Sequence, residues 1–234
     1  MQRFVRKIGH WLLPFLCCLC GDKTNTNRDL CSVCRATLPW AEDRCYRCGL
    51  RMHNNHLSCC QTCIDNPPAF DRVCTLFSYD APVTKLVTGL KFGRQLAYGR
   101  ILGDMLADAV LNDWYQDGNF PEAVIPMPLH AKRLKTRGYN QSLELAWPIT
   151  KRSKITLLSQ VVKRIRSTKP QSGLNAEQRR HNVSKAFAIP IPLMLEHVAI
   201  LDDVVTTGNT VSELCMALKQ AGVLQVDVWC ICRA

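Results

Sequence analysis

The chain has 234 residues, of which 47% are hydrophobic and only 12 are Gly and 12 Pro. That suffices for one α/β domain with a small extra module, and it excludes a disordered, collagenous or repeat protein. The formal charge of +11 is concentrated in one stretch: residues 130–185 hold 14 basic and 2 acidic side chains, a field suited to a polyanion such as nucleic acid, phosphate or pyrophosphate.

At the N-terminus Phe4, Ile8, Trp11, Leu12 and Phe15 fall on one face of a short amphipathic helix, which either packs on the module that follows or touches a membrane surface. Residues 2–20 imitate a secretory signal, with Arg3, Arg6 and Lys7 before an apolar run. The run is short, contains His10 and Pro14, and ends in Cys17-x-x-Cys20 rather than a small-residue cleavage site. The expectation is a cytoplasmic protein, and with no apolar stretch of 18 residues no membrane span is expected.

Eleven of the 14 cysteines lie between Cys17 and Cys74. They include four Cys-x-x-Cys pairs: Cys17/Cys20, Cys31/Cys34, Cys45/Cys48 and Cys60/Cys63. Two intervening residues let both thiolates of a pair reach one tetrahedral metal, so the pairs predict two zinc sites of four cysteines each. The spacing allows sequential pairing, first with second and third with fourth, and equally a cross-braced first-with-third arrangement. Cys18 and Cys59 are alternative ligands by a slip of one, and His53 and His56 are possible replacements. Disulfides and redox dithiols compete with zinc, but disulfides need an oxidising compartment. Two filled sites at −2 each lower the charge from +11 to about +7. A module this small is expected to fold only with its metal.

Asn66-Pro67-Pro68 marks a boundary, giving a zinc-binding module over residues 1–66 and a second domain over 67–234. Strands are predicted at Val73–Tyr79, Val124–Met127, Leu158–Val162, His197–Val205 and Val223–Cys232. Helical stripes run through Val83–Leu90, Ile101–Ala109, Leu143–Ile149 (disturbed by Pro148) and Val211–Leu218, the last closed by Gly222. Such alternation implies a parallel sheet with helices on both faces, whose ligands sit at the carboxyl ends of its strands. Cys74, Cys215, Cys230 and Cys232 read as small buried apolar residues.

One segment carries chemistry. The strand ending Leu201 is followed by Asp202-Asp203 and by the loop Thr206-Thr207-Gly208-Asn209-Thr210, and a helix begins there. Hydroxyls, consecutive backbone N–H groups and the positive end of the helix make a phosphate cradle. The acid pair stands about where the hydroxyls of a ribose with its 5′-phosphate in that loop would lie.

This segment resembles the phosphoribosyl-pyrophosphate (PRPP) motif of type I phosphoribosyltransferases. The run Pro126-Met127-Pro128-Leu129-His130, then Arg133, Arg137, Gly138-Tyr139-Asn140-Gln141, Gln171, Leu174, Arg179, Arg180, Asn182-Val183 and Ala186-Phe187, resembles the ComF family of competence proteins. The Cys-x-x-Cys pairs and Pro67-Pro68-x-Phe70-Asp71 are similar to that family's amino-terminal module, so the resemblance runs from about Cys17 to the end. Two departures stand out: Tyr139 where Phe is common, and Trp147-Pro148 inside a usually Ala/Leu-rich helix.

The resemblance implies a type I phosphoribosyltransferase-like fold behind a zinc module, with zinc and PRPP-bound magnesium as cofactors. Asp202 and Asp203 would hold the ribose and stabilise positive charge developing on it. Thr206, Thr207, Gly208, Asn209 and Thr210 would hold the 5′-phosphate, and Met127, Pro128, Arg133 and Arg137 would face the pyrophosphate. A basic loop with Arg164, Lys169, Arg179 and Arg180 would close over the site and be mobile without an anion. It also implies a role in DNA uptake during natural transformation, with PRPP, single-stranded DNA and other uptake proteins such as a helicase as partners. The acceptor of any phosphoribosyl group is open. Two readings compete: a salvage phosphoribosyltransferase for a free nucleobase, and a DNA-binding factor whose pocket only senses PRPP. Between residues 130 and 185 only Tyr139 and Trp147 offer rings for stacking, which favours phosphate contacts over base readout; the plain alternative is a solvated basic face.

Overall fold

The computed structural model describes residues 15–24, 28–52, 57–165 and 186–234. Phe4, Ile8, Trp11 and Leu12, His53 and His56, and Gln171, Leu174, Asn182 and the basic residues Lys169, Arg179 and Arg180 lie outside them.

Two short helices, α1 (Ser32–Ala36) and α2 (Gln61–Asp65), belong to the Cys-rich module. The chain continues through β1 (Arg72–Ser78), α3 (Val83–Phe92), α4 (Leu96–Ala109) with a π-helical end over Val110–Trp114, and β2 (Ala123–Pro126). Then come α5 (Ala131–Arg137), α6 (Gln141–Arg152), β3 (Thr156–Leu157), β4 (Lys163–Arg164), β5 (Phe187–Ala188), β6 (His197–Val205), α7 (Asn209–Gln220) and β7 (Gln225–Arg233).

Five strands form a parallel sheet in the order β1-β7-β6-β2-β3. Its central strands are buried on both faces, which is why they read as nearly unbroken apolar runs. Along β6, Ala199 and Leu201 join the core beneath α3, α4 and α6, while Val198 and Ile200 join the core beneath α7. The predicted sheet with helices on both faces is the one found.

Three local expectations are corrected. Residues 158–162 do not form a strand: β3 pairs with β2 over only two residues, and the chain then leaves the sheet at Ser159-Gln160 to build the antiparallel pair β4–β5. Pro148 does not disturb α6, which runs unbroken over it. A Cβ on Gly103 of α4 would lie 2.9 Å from Pro148 Cγ, so that glycine makes room for the ring. Helix α5 is additional; it buries none of its residues, so it has no apolar stripe to read.

The Cys-rich module covers the β1 edge of the sheet. Trp40 bridges Phe77, Ala41 N–H donates to the Leu76 carbonyl at 2.8 Å, and Ser78 N–H donates to that of Pro39 at 2.9 Å. An edge that would otherwise present unpaired backbone groups is thereby closed.

Candidate metal centres and anion cleft

Each of two groups of thiols converges on a point. The sulfurs of Cys17, Cys20, Cys31 and Cys34, and those of Cys45, Cys48, Cys60 and Cys63, lie within 4.8 Å of one another. Sequential pairing is therefore the arrangement adopted; Cys18 and Cys59 belong to neither group. Cys20 and Cys31 sulfurs are 3.9 Å apart and those of Cys48 and Cys60 are 3.7 Å apart. A tetrahedron with zinc–sulfur bonds of ~2.3 Å has edges of about 3.8 Å, so both sets fit zinc.

The two centres are built alike. In each, the first Cys-x-x-Cys pair is a knuckle ended by a glycine at positive φ, Gly21 or Gly49. The knuckles close with Gly21 N–H to the Cys17 carbonyl and Gly49 N–H to the Cys45 carbonyl, both 2.8 Å. The second pair opens a short helix, with Cys31 or Cys60 at its N-cap. Burial alone would raise the Cys45 thiol, but N–H donors of Cys48 and Cys60 and neighbouring thiols outweigh it and bring it to about 6. Burial raises Cys48, to about 11, and Cys63 as well, so a metal entering this centre must displace their protons.

At the carboxyl end of the sheet lies a cleft of ≈ 670 Å³. The acid pair near the carboxyl end of β6 lines it. Asp202 accepts from Ser142 Oγ at 3.3 Å and from Asp203 N–H at 2.9 Å. Asp203 is 3% exposed and pairs through Oδ1 with Lys91 Nζ at 3.1 Å, while its Oδ2 is buried and finds no hydrogen-bond partner among the described residues. Withdrawal from water, then repulsion from Asp203, raises Asp202 to about 7.

The loop Thr206–Thr210 lines the cleft, and its turn into α7 is made by Gly208 at φ 80°. L-residues with side chains avoid that conformation. Arg133 of α5 and Arg164 of β4 also line the cleft. Burial chiefly, and next the nearby Arg133, lowers Arg164, so two like charges face one space. Met127 and Leu129 line the cleft; Pro128 does not.

The Arg137–Gln141 run is the joint that holds α5 and α6. Gly138 ends α5 in the left-handed conformation at φ 86°. The Tyr139 hydroxyl donates to the Leu90 carbonyl. Asn140 caps α6 by accepting from Ser142 N–H at 3.0 Å and donates through Nδ2 to the Met127 carbonyl at 3.1 Å. Arg137 donates to Gln141 and lies over the Phe92 ring at 5.5 Å. The cleft thus unites Asp202, Asp203, the whole 206–210 loop, Met127, Arg133, Arg137 and Arg164. Sequence reasoning missed Lys91, Phe92, Arg94, Lys132 and Thr136, which also line it. The cluster Lys91-Phe92-Gly93-Arg94 after an amphipathic helix was the available signal.

Residues 8–64 match the double zinc ribbon domain family. The chain is 35% identical over 223 residues to the DNA utilization protein YhgH of Escherichia coli O157:H7, covering 94% of this chain and 98% of that one. It is 33% identical over 227 residues to competence protein F of Haemophilus influenzae, covering 94% and 97%. The chain belongs to the ComF/YhgH family. Among solved structures, a purine phosphoribosyltransferase from Pyrococcus horikoshii aligns at 15% identity and TM-score 0.31, over 57% of this chain and 82% of that one. Among the described residues of this ComF/YhgH member, no helix is long and apolar enough to cross a membrane.

Proposed function

We propose that this ComF/YhgH protein acts in DNA uptake during natural transformation, binding Mg-PRPP in the cleft and single-stranded DNA through the zinc ribbons and the basic stretch. In this reading residues 1–66 are the zinc-binding module and 67–234 the phosphoribosyltransferase-like domain. The supporting observation is the set of groups that one cleft brings together. An acid pair, a loop at a helix N-terminus and several basic side chains, Lys91, Arg133, Arg137 and Arg164 among them, line the same space. Those are the groups that a sugar carrying anionic substituents requires.

In this reading Asp202 and Asp203 hold the ribose hydroxyls, and the unsatisfied Asp203 Oδ2 gains a donor. Backbone N–H groups and hydroxyls of Thr206–Thr210 bind the 5′-phosphate. Arg133, Arg137 and Arg164 take the pyrophosphate, and Lys91 fixes Asp203 while balancing one of the two acids. Magnesium would be held mainly by PRPP oxygens and water near the acid pair, supplying charge neutralisation to the departing pyrophosphate. If transfer occurs, the anomeric bond to pyrophosphate breaks and the acid pair stabilises the positive sugar. Outside the cleft, Lys135 of α5 and Lys151 of α6 supply cations for a phosphate backbone. The exposed ring of Phe92 offers one face to a base.

Calorimetric titration with Mg-PRPP tests the reading. The wild type is expected to bind, and Asp202→Asn with Asp203→Asn to abolish binding while single-stranded DNA is still retained. Absence of PRPP binding in the zinc-loaded wild type sinks it. Release of pyrophosphate with a free nucleobase but not with DNA would favour the salvage reading instead.

A further inference from the structure

Arg233, the last residue of β7, is 7% exposed, and among the described residues no side-chain carboxylate forms an ion pair with it. Its guanidinium is held by main-chain carbonyls from two separate parts of the molecule. Nε donates to Cys48 in the knuckle of the second four-cysteine centre at 2.7 Å. Nη1 donates to Val205 at 3.1 Å, to Thr206, and to Ala234 at 2.5 Å. One planar group therefore spans from a metal-ligand residue to the first residue of the loop after the acid pair.

Two physical consequences follow. A buried cation needs compensating charge. Beyond burial, the charges that act most on Arg233 are those of Cys230 and Cys48, then Arg44 and Cys63. A filled centre of four thiolates carries about −2, so metal in the second centre adds counter-charge through Cys48 and Cys63. Secondly, in a trans peptide the C=O and the following N–H point to opposite sides. With the Val205 and Thr206 carbonyls fixed on Arg233, the N–H groups of Thr206 and Thr207 are turned away from it. Gly49 keeps the knuckle close enough for this contact: a Cβ there would stand 3.6 Å from Arg233 Cγ and 2.8 Å from Val73 Cγ1.

We propose that Arg233 is a positioning residue that couples the second four-cysteine centre to the 206–210 loop, so that zinc at Cys45/Cys48/Cys60/Cys63 and an anion in the loop strengthen each other's binding. The nature of the anion rests on the PRPP reading above; the strut itself does not. Among the described residues the first centre has no such link, and it serves as the internal control.

The test uses the full chain, zinc-loaded, as wild type, Arg233→Met and Arg233→Lys. Two quantities are read: the rate at which a chromogenic chelator strips each zinc equivalent, with and without Mg-PRPP, and the affinity for Mg-PRPP by calorimetry. In Arg233→Met, one zinc equivalent is expected to leave about tenfold faster and the other at the wild-type rate, with PRPP affinity about tenfold weaker. Arg233→Lys restores charge but cannot span both contacts, so it recovers part of the zinc retention and little of the PRPP affinity. In the wild type, where no folding defect can intervene, Mg-PRPP slows the loss of one zinc and not the other. Stripping rates indifferent to PRPP in a wild type that binds it overturn the proposal. If the wild type does not bind PRPP, the PRPP reading falls. The strut is then judged on stripping alone, and unchanged release from Arg233→Met overturns it.

Discussion

Lys91 shows how a single side chain sets the charge state of the cleft. It pairs with Asp203 at 3.1 Å, and its charge opposes the rise in Asp202. With Asp202 raised to about 7, its ionised form is disfavoured below neutrality. For an acid whose folded pKa is raised, protonation as pH falls from about 7 towards its unfolded value stabilises the fold, whereas ionisation above 7 costs stability. Ribose hydroxyls and positive charge favour the ionised acid, so PRPP affinity is expected to rise with pH between about 6 and 8. Lys91→Met is expected to move that midpoint upward, which pH-dependent calorimetry checks. Gly208→Ala places a Cβ in ordinary contact with Phe70, at 3.6 Å from Cε1. Its cost comes from φ of 80°, about 1 kcal/mol by chemical denaturation.

Among the elements, the two knuckle-and-helix centres repeat one design but sit differently. The second touches the sheet through Tyr46, whose carbonyl accepts from Val73 N–H at 3.3 Å, and through Arg233. The first reaches α4 through Arg28, which pairs with Asp108 at 2.9 Å. Cys34→Ser is expected to lower zinc content from about two equivalents to about one, as is Cys63→Ser, by native mass spectrometry. Loss of the second centre should loosen β1 at Val73, bonded to Tyr46, and loss of the first at Ser78, bonded to Pro39 beside α1, which hydrogen exchange at the two amides would separate. At the opposite end of the strands, Asp227 is wholly buried among Arg72 Nε at 2.9 Å, the Tyr115 hydroxyl at 2.6 Å and His197 Nε2 at 3.2 Å. Burial opposes its ionisation, but the donors of His197 and Tyr115 and the Arg72 charge outweigh this and lower it. Its contribution is therefore present above the ordinary Asp range and lost as pH falls through the lowered value. Asp227→Asn leaves Arg72 without its partner carboxylate and is expected to cost about 3 kcal/mol in urea unfolding.

Taken as a whole, the molecule separates these roles. Stability is concentrated in the sheet and in the buried network at the amino ends of its strands, while charge for ligands gathers at the carboxyl ends. The +11 of the chain falls to about +7 with both metal centres filled, and α5 places Lys132, Arg133 and Arg137 of it on the cleft. Single-stranded DNA binding through about four phosphate contacts should weaken about 50-fold between about 50 and 200 mM salt. A filter-binding salt titration measures this, and a flat response would remove the electrostatic account.

The sequence by itself determined the strands with unbroken apolar runs, because burial on both faces leaves no choice of residue type. His197–Val205 was legible to the residue. It also determined the thiol pairs and the acid pair with its loop, because metal chemistry demands those thiols at local spacings and the acids and loop stand together in one short segment. It did not determine which pairs share a metal, since sequential and cross-braced arrangements use identical spacings. Nor could it reveal α5, whose residues are held by the Gly138–Asn140 joint rather than by an apolar stripe. Lys91 reaching Asp203, Arg133 facing Arg164, and Arg233 joining Cys48 to Thr206 were decided only by the tertiary structure. Those contacts join residues distant in the chain, and only packing of the helices and the ribbons around the sheet brings such charges within reach of one another.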